Sequence, residues 1–380
     1  MSLRYNINPM KYCTKCVQSD TRPGIKFNEE GVCPPCQYME KAGNIDWEER
    51  KKELDNIVLK FKTFNKSGYD CIIGVSGGKD SNRQAMYVKN VLGLKPLLVS
   101  CVYPPEQQTE RGAHNLGNLI SLGFDAISVS PAPLIWKKLM RQSFLKYGNW
   151  AKSTEMALYA CLPRIATAYH IPLIFLGENP AIQVGALGVG SFNWDANKMK
   201  EADTIASGPE ELMSEDMDLQ DIIWYKYPPT EEMLRAHIQI VYLGYFWDNF
   251  TKVDNANFSI AHGLEIRTDI PQNMGTIHSF EALDDDFVLM NQMMKHLKWG
   301  FGKITDDVSE QVRFGRMTRK EAAKLVKLYD GKCSDKYIQQ FCDYTGLSKE
   351  KFWEVAESFR NKNIWEKNKD NKWKIKIPIK

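Results

Sequence analysis

The sequence predicts an α/β protein: a doubly wound, mostly parallel sheet with a cysteine-bearing knuckle before it and an all-α lobe after it. Three observations lead there. Short apolar runs of strand length alternate with helix-patterned stretches through the middle of the chain, two Cys-x2-Cys pairs stand near the N-terminus, and from Asp284 onward helical periodicity dominates. At 380 residues, 43% of them hydrophobic, the chain can bury more than one core. The expected division is 1–45 for the knuckle, 46–64 for a linking helix, 65–275 for the α/β domain and 276–380 for the helical lobe with a basic tail. No uninterrupted apolar run reaches the roughly 18 residues of a membrane span, and Met1-Ser2-Leu3-Arg4-Tyr5-Asn6 lacks the apolar core of a secretory signal. A cytoplasmic protein is therefore expected. Net charge is +3, but Arg360 to Lys380 holds eight basic and two acidic residues, so the basicity belongs to the tail. There Lys372, Lys374 and Lys376 alternate with Trp373, Ile375 and Ile377, the pattern of an edge strand packed on one face and guarded by lysines on the other. That reading leaves no nucleic-acid arm and no membrane partner.

In the knuckle, Cys13-x2-Cys16 is followed after sixteen residues by Cys33-x2-Cys36. Each pair aims two thiolates at one point, and Zn²⁺ takes four such ligands tetrahedrally with no position left open, so Cys13, Cys16, Cys33 and Cys36 are expected to form a structural zinc site. Iron–sulfur ligation is the minor alternative. Thr21-Arg22-Pro23-Gly24 and Asn28-Glu29-Glu30-Gly31 read as turns. From Asp46 to Phe64 the positions Trp47, Leu54, Ile57, Val58 and Phe61 recur at helical spacing, with Asp46 as the cap.

The α/β part is organised around Ser76-Gly77-Gly78-Lys79-Asp80-Ser81, set between the apolar run Cys71 to Val75 and a helix-patterned stretch from Ser81 to Leu92. A strand, a glycine turn and a helix N-terminus present unpaired backbone N–H groups at the positive end of a helix dipole, with two serine hydroxyls beside them. This is an anion cradle. A Walker A loop does not fit, because counting from Gly74 its second glycine would fall on Lys79. The hexapeptide instead resembles the SGGxDS signature of the PP-loop ATP pyrophosphatases, which implies a fold of that adenine-nucleotide-hydrolase type, with ATP held by Ser76, Gly77, Gly78, Lys79, Asp80 and Ser81 while its α-phosphorus is attacked. Further strands are expected at Pro96 to Val102, Ala126 to Val129 and Pro172 to Leu176. A doubly wound order puts the last of these beside the first, so that Gly177, Glu178 and Asn179 face the cradle across the switch-point crevice. An isolated glutamate in this place would as readily be a solvated loop carboxylate.

Between Ala181 and Met213 lies a long glycine-rich stretch containing Gly185 to Ser191 and then Phe192, Asn193, Trp194 and Asp195. A tryptophan flanked by Asn193 and Asp195 suits stacking on a sugar ring, and suits equally a buried anchor. A fifth strand is expected over Ile238 to Leu243, with the aromatic group Tyr242, Tyr245, Phe246, Trp247 and Phe250 as packing. Helices follow over Phe287 to Leu297, Thr318 to Tyr329, Tyr337 to Tyr344 and Ser348 to Phe359, with a Thr318/Glu321 capping box and Gly346 as a breaker.

Taken together, Tyr12-Cys13-Thr14-Lys15-Cys16, Asp20 to Ile25, Ser76 to Ser81, Gly177-Glu178-Asn179-Pro180, Tyr242 to Trp247, Phe314 to Arg319 and Asp330 to Asp335 resemble the N-acetyl sugar amidotransferases of the PseA and WbpG type. The resemblance implies an ATP- and ammonia-dependent conversion of an acetamido group to an acetamidino group on a sugar of bacterial surface glycans, lipopolysaccharide O-antigen or flagellin sugar. It also implies a separate glutaminase subunit that supplies the ammonia. On that basis Lys79, Asp80 and Glu178 are candidate catalytic residues, Asp80 a candidate Mg²⁺ ligand, and Asn193, Trp194 and Asp195 candidates for the N-acetylated sugar. Two alternatives stand beside it. A tRNA-thiolating enzyme of the same superfamily would carry an inner Cys-x-x-Cys, yet Cys161 has Leu158 and Arg164 at the completing positions. The other is a non-catalytic nucleotide-binding partner in a glycan complex.

Overall fold

In the computed structural model, residues 10–183, 193–201 and 205–380 are described. Helix α1 (Pro34–Ala42) closes the knuckle, and α2 (Trp47–Lys62) follows it, capped as expected by Asp46, whose carboxylate accepts from the Glu49 N–H at 2.9 Å. Strands β1 (Cys71–Gly74), β2 (Pro96–Cys101), β3 (Asp125–Val129), β4 (Leu173–Leu176) and β5 (Gln239–Tyr242) form one sheet in the order β3-β2-β1-β4-β5, every neighbouring pair parallel. β4 does lie beside β1, with Ile72 paired to Ile174.

Side chains alternate across a strand, so neighbours in sequence enter different cores. Ile72, Val99, Ile174 and Ile240 meet α5 (Pro133–Tyr147) and α6 (Ala151–Tyr169) on one face. Ile73, Leu98, Phe175 and Val241 meet α2, α3 (Lys79–Asn90) and α4 (Glu110–Ser121) on the other. Burial on both faces is why the central strands read as unbroken apolar runs, each such side chain contributing about 2 kcal/mol. Short helices α7 (Pro180–Gln183) and α8 (Thr230–Arg235) precede β5, and α9 (Lys252–Ala261) and α10 (Pro271–Met274) follow it.

The C-terminal helices are α11 (Phe287–Trp299), α12 (Lys303–Arg313), α13 (Arg319–Tyr329), α14 (Asp335–Thr345) and α15 (Lys349–Phe359). The Thr318/Glu321 capping box is present, and Gly346, at φ 66°, turns the chain between α14 and α15. Two features depart from the expectation. This region is not all-α: β6 (Trp365–Lys367) pairs antiparallel with β7 (Trp373–Ile375), so the lysine-alternating tail is half of a hairpin. Nor does it keep a core to itself, since Phe287, Met290, Phe341 and Phe352 share one with α5 and α6, and Phe144 stacks on Phe352 with ring centroids 5.1 Å apart.

The knuckle rests on these same helices. Val17 packs with Ile304, Val308, Ala322 and Ala323, the Arg22 guanidinium pairs with Asp306, and Arg319 Nε donates to the carbonyls of Cys16 at 3.0 Å and Cys13 at 3.3 Å. Among the described residues no helix is long and apolar enough to cross a membrane.

Candidate active site

The cradle is built by three local devices. Gly77 adopts φ +85°, and a Cβ there would stand 2.6 Å from the Leu116 nitrogen, so only glycine lets the turn lie against α4. Ser81 Oγ accepts from the Ser76 N–H at 3.1 Å, folding the turn back on the first helical residues. Gly78, the N-cap, offers no side chain to the helix, which leaves the first amides of α3 to an incoming anion.

Lys79 is only 9% exposed, and its ammonium lies 3.1 Å from Asp80 Oδ2 and 3.8 Å from Glu281 Oε1. Burial disfavours its charge, but Asp80 and Glu281 more than offset this and hold its pKa above the lysine range. Asn255 Nδ2 donates to Asp80 Oδ1 at 2.6 Å and Ser259 Oγ to the Lys79 carbonyl at 2.8 Å, so α9 clamps the start of α3.

Opposite the cradle, the end of β4 delivers Gly177 and Glu178. A Cβ on Gly177 would sit 3.2 Å from the Gln84 amide. Asn179 is buried, and its Nδ2 donates to the Gly244 carbonyl at 2.9 Å, tying this loop to the turn after β5. Between the two sides lies a cleft of about 270 Å³. Ser76, Asp80 and Ser81 form one side, Gly177 and Glu178 another, and the chain leaving β2 at Cys101 to Tyr103 a third; Tyr159 of α6 and Asp284 close it. The carboxyl ends of β1, β2 and β4 therefore converge on one concavity, where an open parallel sheet places its ligands.

Glu178 Oε2 is buried without a hydrogen-bond partner, and burial, with the Asp80 charge added, raises this carboxyl from 4.5 to about 7. The folded protein binds a proton here that the unfolded chain has released above pH 4.5, so this group favours the fold at acid pH and that advantage is lost as pH rises through 7. Glu178→Gln is expected to raise the melting temperature at pH 8, by no more than about 3 kcal/mol of stability, and to leave it unchanged below pH 4.5. Equal shifts at both pH values in a thermal melt would contradict the assignment.

Asn193, Trp194 and Asp195 lie elsewhere. The Trp194 carbonyl accepts from Tyr242 N–H at 2.8 Å and its indole N–H donates to Glu53 Oε1 at 2.6 Å, while Asp195 Oδ1 accepts from Asn197 N–H and Gln239 Nε2. They stitch β5 to α2, and none of the three lines the cleft. The preceding Gly185 to Phe192 falls outside the described residues.

Several site residues gave no local signal. Lys303 Nζ lies 3.0 Å from Glu281 Oε2 and 3.4 Å from Asp307 Oδ1, and Lys252 Nζ lies 3.2 Å from the same Asp307 oxygen. An alternating chain of buried charges thus runs from Lys79 into α12, assembled from positions up to more than two hundred residues apart. Cys101 lines the cleft with Cys161 behind it. Hydrogen bonding to Cys101 and burial push the Cys161 thiol well above its usual range.

The four knuckle cysteines form a second centre. Their sulfurs all lie within 4.8 Å of one another and are buried, with Cys13 Sγ 3.9 Å from Cys36 Sγ and Cys16 Sγ 3.6 Å from Cys33 Sγ. These separations are far too long for disulfides and match the edge of about 3.8 Å in a ZnS₄ tetrahedron with bonds of about 2.3 Å. Cys33 N–H points at Cys13 Sγ and Gln18 N–H at Cys16 Sγ, the polar support that thiolates need. The set could hold a metal such as zinc.

Residues 274–379 match the family model described as LPS biosynthesis protein WbpG-like, C-terminal domain. A stretch of 90 residues, 23% of the chain, is 36% identical to an uncharacterised protein of Methanocaldococcus jannaschii. That match spans 31% of the relative's length.

Proposed function

We propose that the protein is an ATP-dependent amidotransferase of lipopolysaccharide or related surface-glycan synthesis. It adenylates the acetamido carbonyl of an N-acetylated, nucleotide-linked sugar and lets ammonia displace AMP. The observation that carries this reading is the convergence of Ser76, Asp80, Ser81 and Glu178 on one cleft, with Gly77, Gly78 and Lys79 outside its lining; the WbpG-like match supports the glycan context.

An amide is a poor electrophile, so its oxygen first attacks the α-phosphorus. Negative charge then grows on the departing pyrophosphate, where the amides of α3, Lys79 and the hydroxyls of Ser76 and Ser81 can receive it. Asp80, a cleft residue whose carboxylate now accepts from Asn255 and Lys79, would hold Mg²⁺, which when bound supplies further neutralising charge. Zinc in the knuckle would be structural, since four thiolates leave no open position.

The cysteines favour external ammonia. A glutaminase needs an activated thiolate. Cys71 is buried and held protonated, Cys333 and Cys342 are pushed up by burial to about 12 and 11, and Cys161 is wholly buried. The same protonated, buried Cys161 weighs against sulfur transfer through the Cys101/Cys161 contact. A separate glutaminase subunit would then deliver the nitrogen. Purified protein with ATP and an N-acetylated sugar is expected to form AMP, pyrophosphate and the acetamidino sugar with ammonium salts and not with glutamine. Glutamine hydrolysis by this chain alone overturns the nitrogen source, and no turnover with any acetamido sugar favours the non-catalytic reading.

A further inference from the structure

Three consecutive aspartates stand at the start of the WbpG-like region's helices, and the fold gives each a different task. Asp285 is fully buried, one oxygen accepting from Gln107 Nε2 and the other from Phe287 N–H, both at 2.8 Å. Asp286 accepts from Arg267 at 2.7 Å and pairs with Arg111 at 3.5 Å. Asp284 alone has no side-chain hydrogen bond or ion pair among the described residues; its carboxylate has backbone N–H groups of the segment and the more distant Lys79 and Arg111 charges to lean on, and the residue lines the cleft. Its backbone is fixed. Thr109 N–H donates to the Asp284 carbonyl at 3.1 Å, and Gly112 permits the approach, since a Cβ there would come within 2.5 Å of Asp284 Cα.

We infer that Asp284 is the catalytic base on the acceptor side of the cleft, taking the acetamido N–H proton as the amide oxygen attacks ATP. This rests on the amidotransferase reading. The two carboxylates enter the cleft from different elements: Glu178 leaves the end of β4, whereas the Asp284 backbone is held by Thr109 at the start of α4, beyond β2, with the Lys79 and Arg111 charges acting on it from outside ion-pair distance. The amide oxygen bonds the α-phosphorus, the bond to the β-phosphate oxygen breaks to release pyrophosphate, and the N–H proton passes to Asp284, leaving a neutral O-adenylyl imidate. The nitrogen of ammonia then bonds the imidate carbon and passes one proton to the sugar nitrogen. The carbon–oxygen bond breaks to release AMP, and the proton on Asp284 leaves with it. A carboxylate free of ion pairs on the cleft wall is suited to this, because no salt bridge must be broken before it accepts a proton.

The test compares wild type, Asp284→Asn and Asp284→Glu for AMP formation with ammonium and an N-acetylated nucleotide sugar, alongside binding of a non-hydrolysable ATP analogue. Asp284→Asn is expected to lose on the order of a hundredfold in kcat, with little change in KM for the sugar, unchanged analogue binding, and partial recovery in Asp284→Glu. A kcat within threefold of wild type overturns the inference, as does a raised sugar KM with kcat intact, which would make Asp284 a binding group. Loss of analogue binding in both variants also overturns it, by making the role structural. A wild type that forms no AMP with any acetamido sugar sinks the functional reading itself, and the inference with it.

Discussion

Cys33→Ser is expected to lose bound metal and to lower the melting temperature by on the order of 10 °C. The size follows from where the knuckle sits. Cys33 is fully buried, its N–H supports Cys13 Sγ, and Cys16 Sγ is 3.6 Å away, so a serine leaves three thiols converging on a point they cannot satisfy. The damage would not stay local. Carbonyls of Cys13 and Cys16 receive Arg319, and the neighbouring Arg22 pairs with Asp306 on α12, the helix whose next residue, Asp307, belongs to the charge chain ending at Lys79. Metal content by elemental analysis, followed by a thermal melt, checks this. Cys333→Ser, outside the cluster, serves as the control and is expected to keep its metal. One metal per chain and an unchanged melt in Cys33→Ser would remove the assignment.

What the sequence disclosed here follows from the range of the physics involved. The strand, turn and helix start around Ser76–Ser81 were legible because a glycine turn, its flanking serines and the first helical turn are all set within six residues. The strand order was legible because each central strand is buried on both faces and so keeps an apolar run. Helix α12 was not. Its inner face carries Asp307, 0% exposed, and Glu310, 2% exposed, beside Ile304 and Val308, so the polar half of the buried stripe reads as solvent-facing. Glu281, Lys303 and Asp284 enter the site through tertiary contact alone. Trp194 left two readings open for the converse reason: a tryptophan between Asn and Asp has the composition of a sugar platform as much as of an anchor, while its partner Glu53 lies 141 residues away.

If the proposed reaction holds, Ser76→Ala and Lys79→Ala are each expected to lower AMP formation on the order of a hundredfold, since each would remove a donor to charge that develops only in the transition state. Ser76 Oγ accepts from Gly78 N–H at a long 3.4 Å, which leaves its own proton free for a phosphate oxygen. Lys79 is held between Asp80 and Glu281, so its charge is present without any ligand, and on the proposed reaction it would turn from these carboxylates toward the leaving pyrophosphate. Together the losses should fall short of the product of the two, because on that reading both groups would serve the same pyrophosphate. Lys79→Ala also leaves Glu281 with Lys303 as its remaining close cation, so melting must be measured alongside to separate a misfolded site from a disarmed one. The chemistry has its own check. A pyrophosphate holder cuts ATP between the α and β phosphates, so labelled ATP should yield AMP and pyrophosphate in equal amounts. ADP and phosphate, or full activity in the double variant, would show that the turn holds something other than a leaving pyrophosphate.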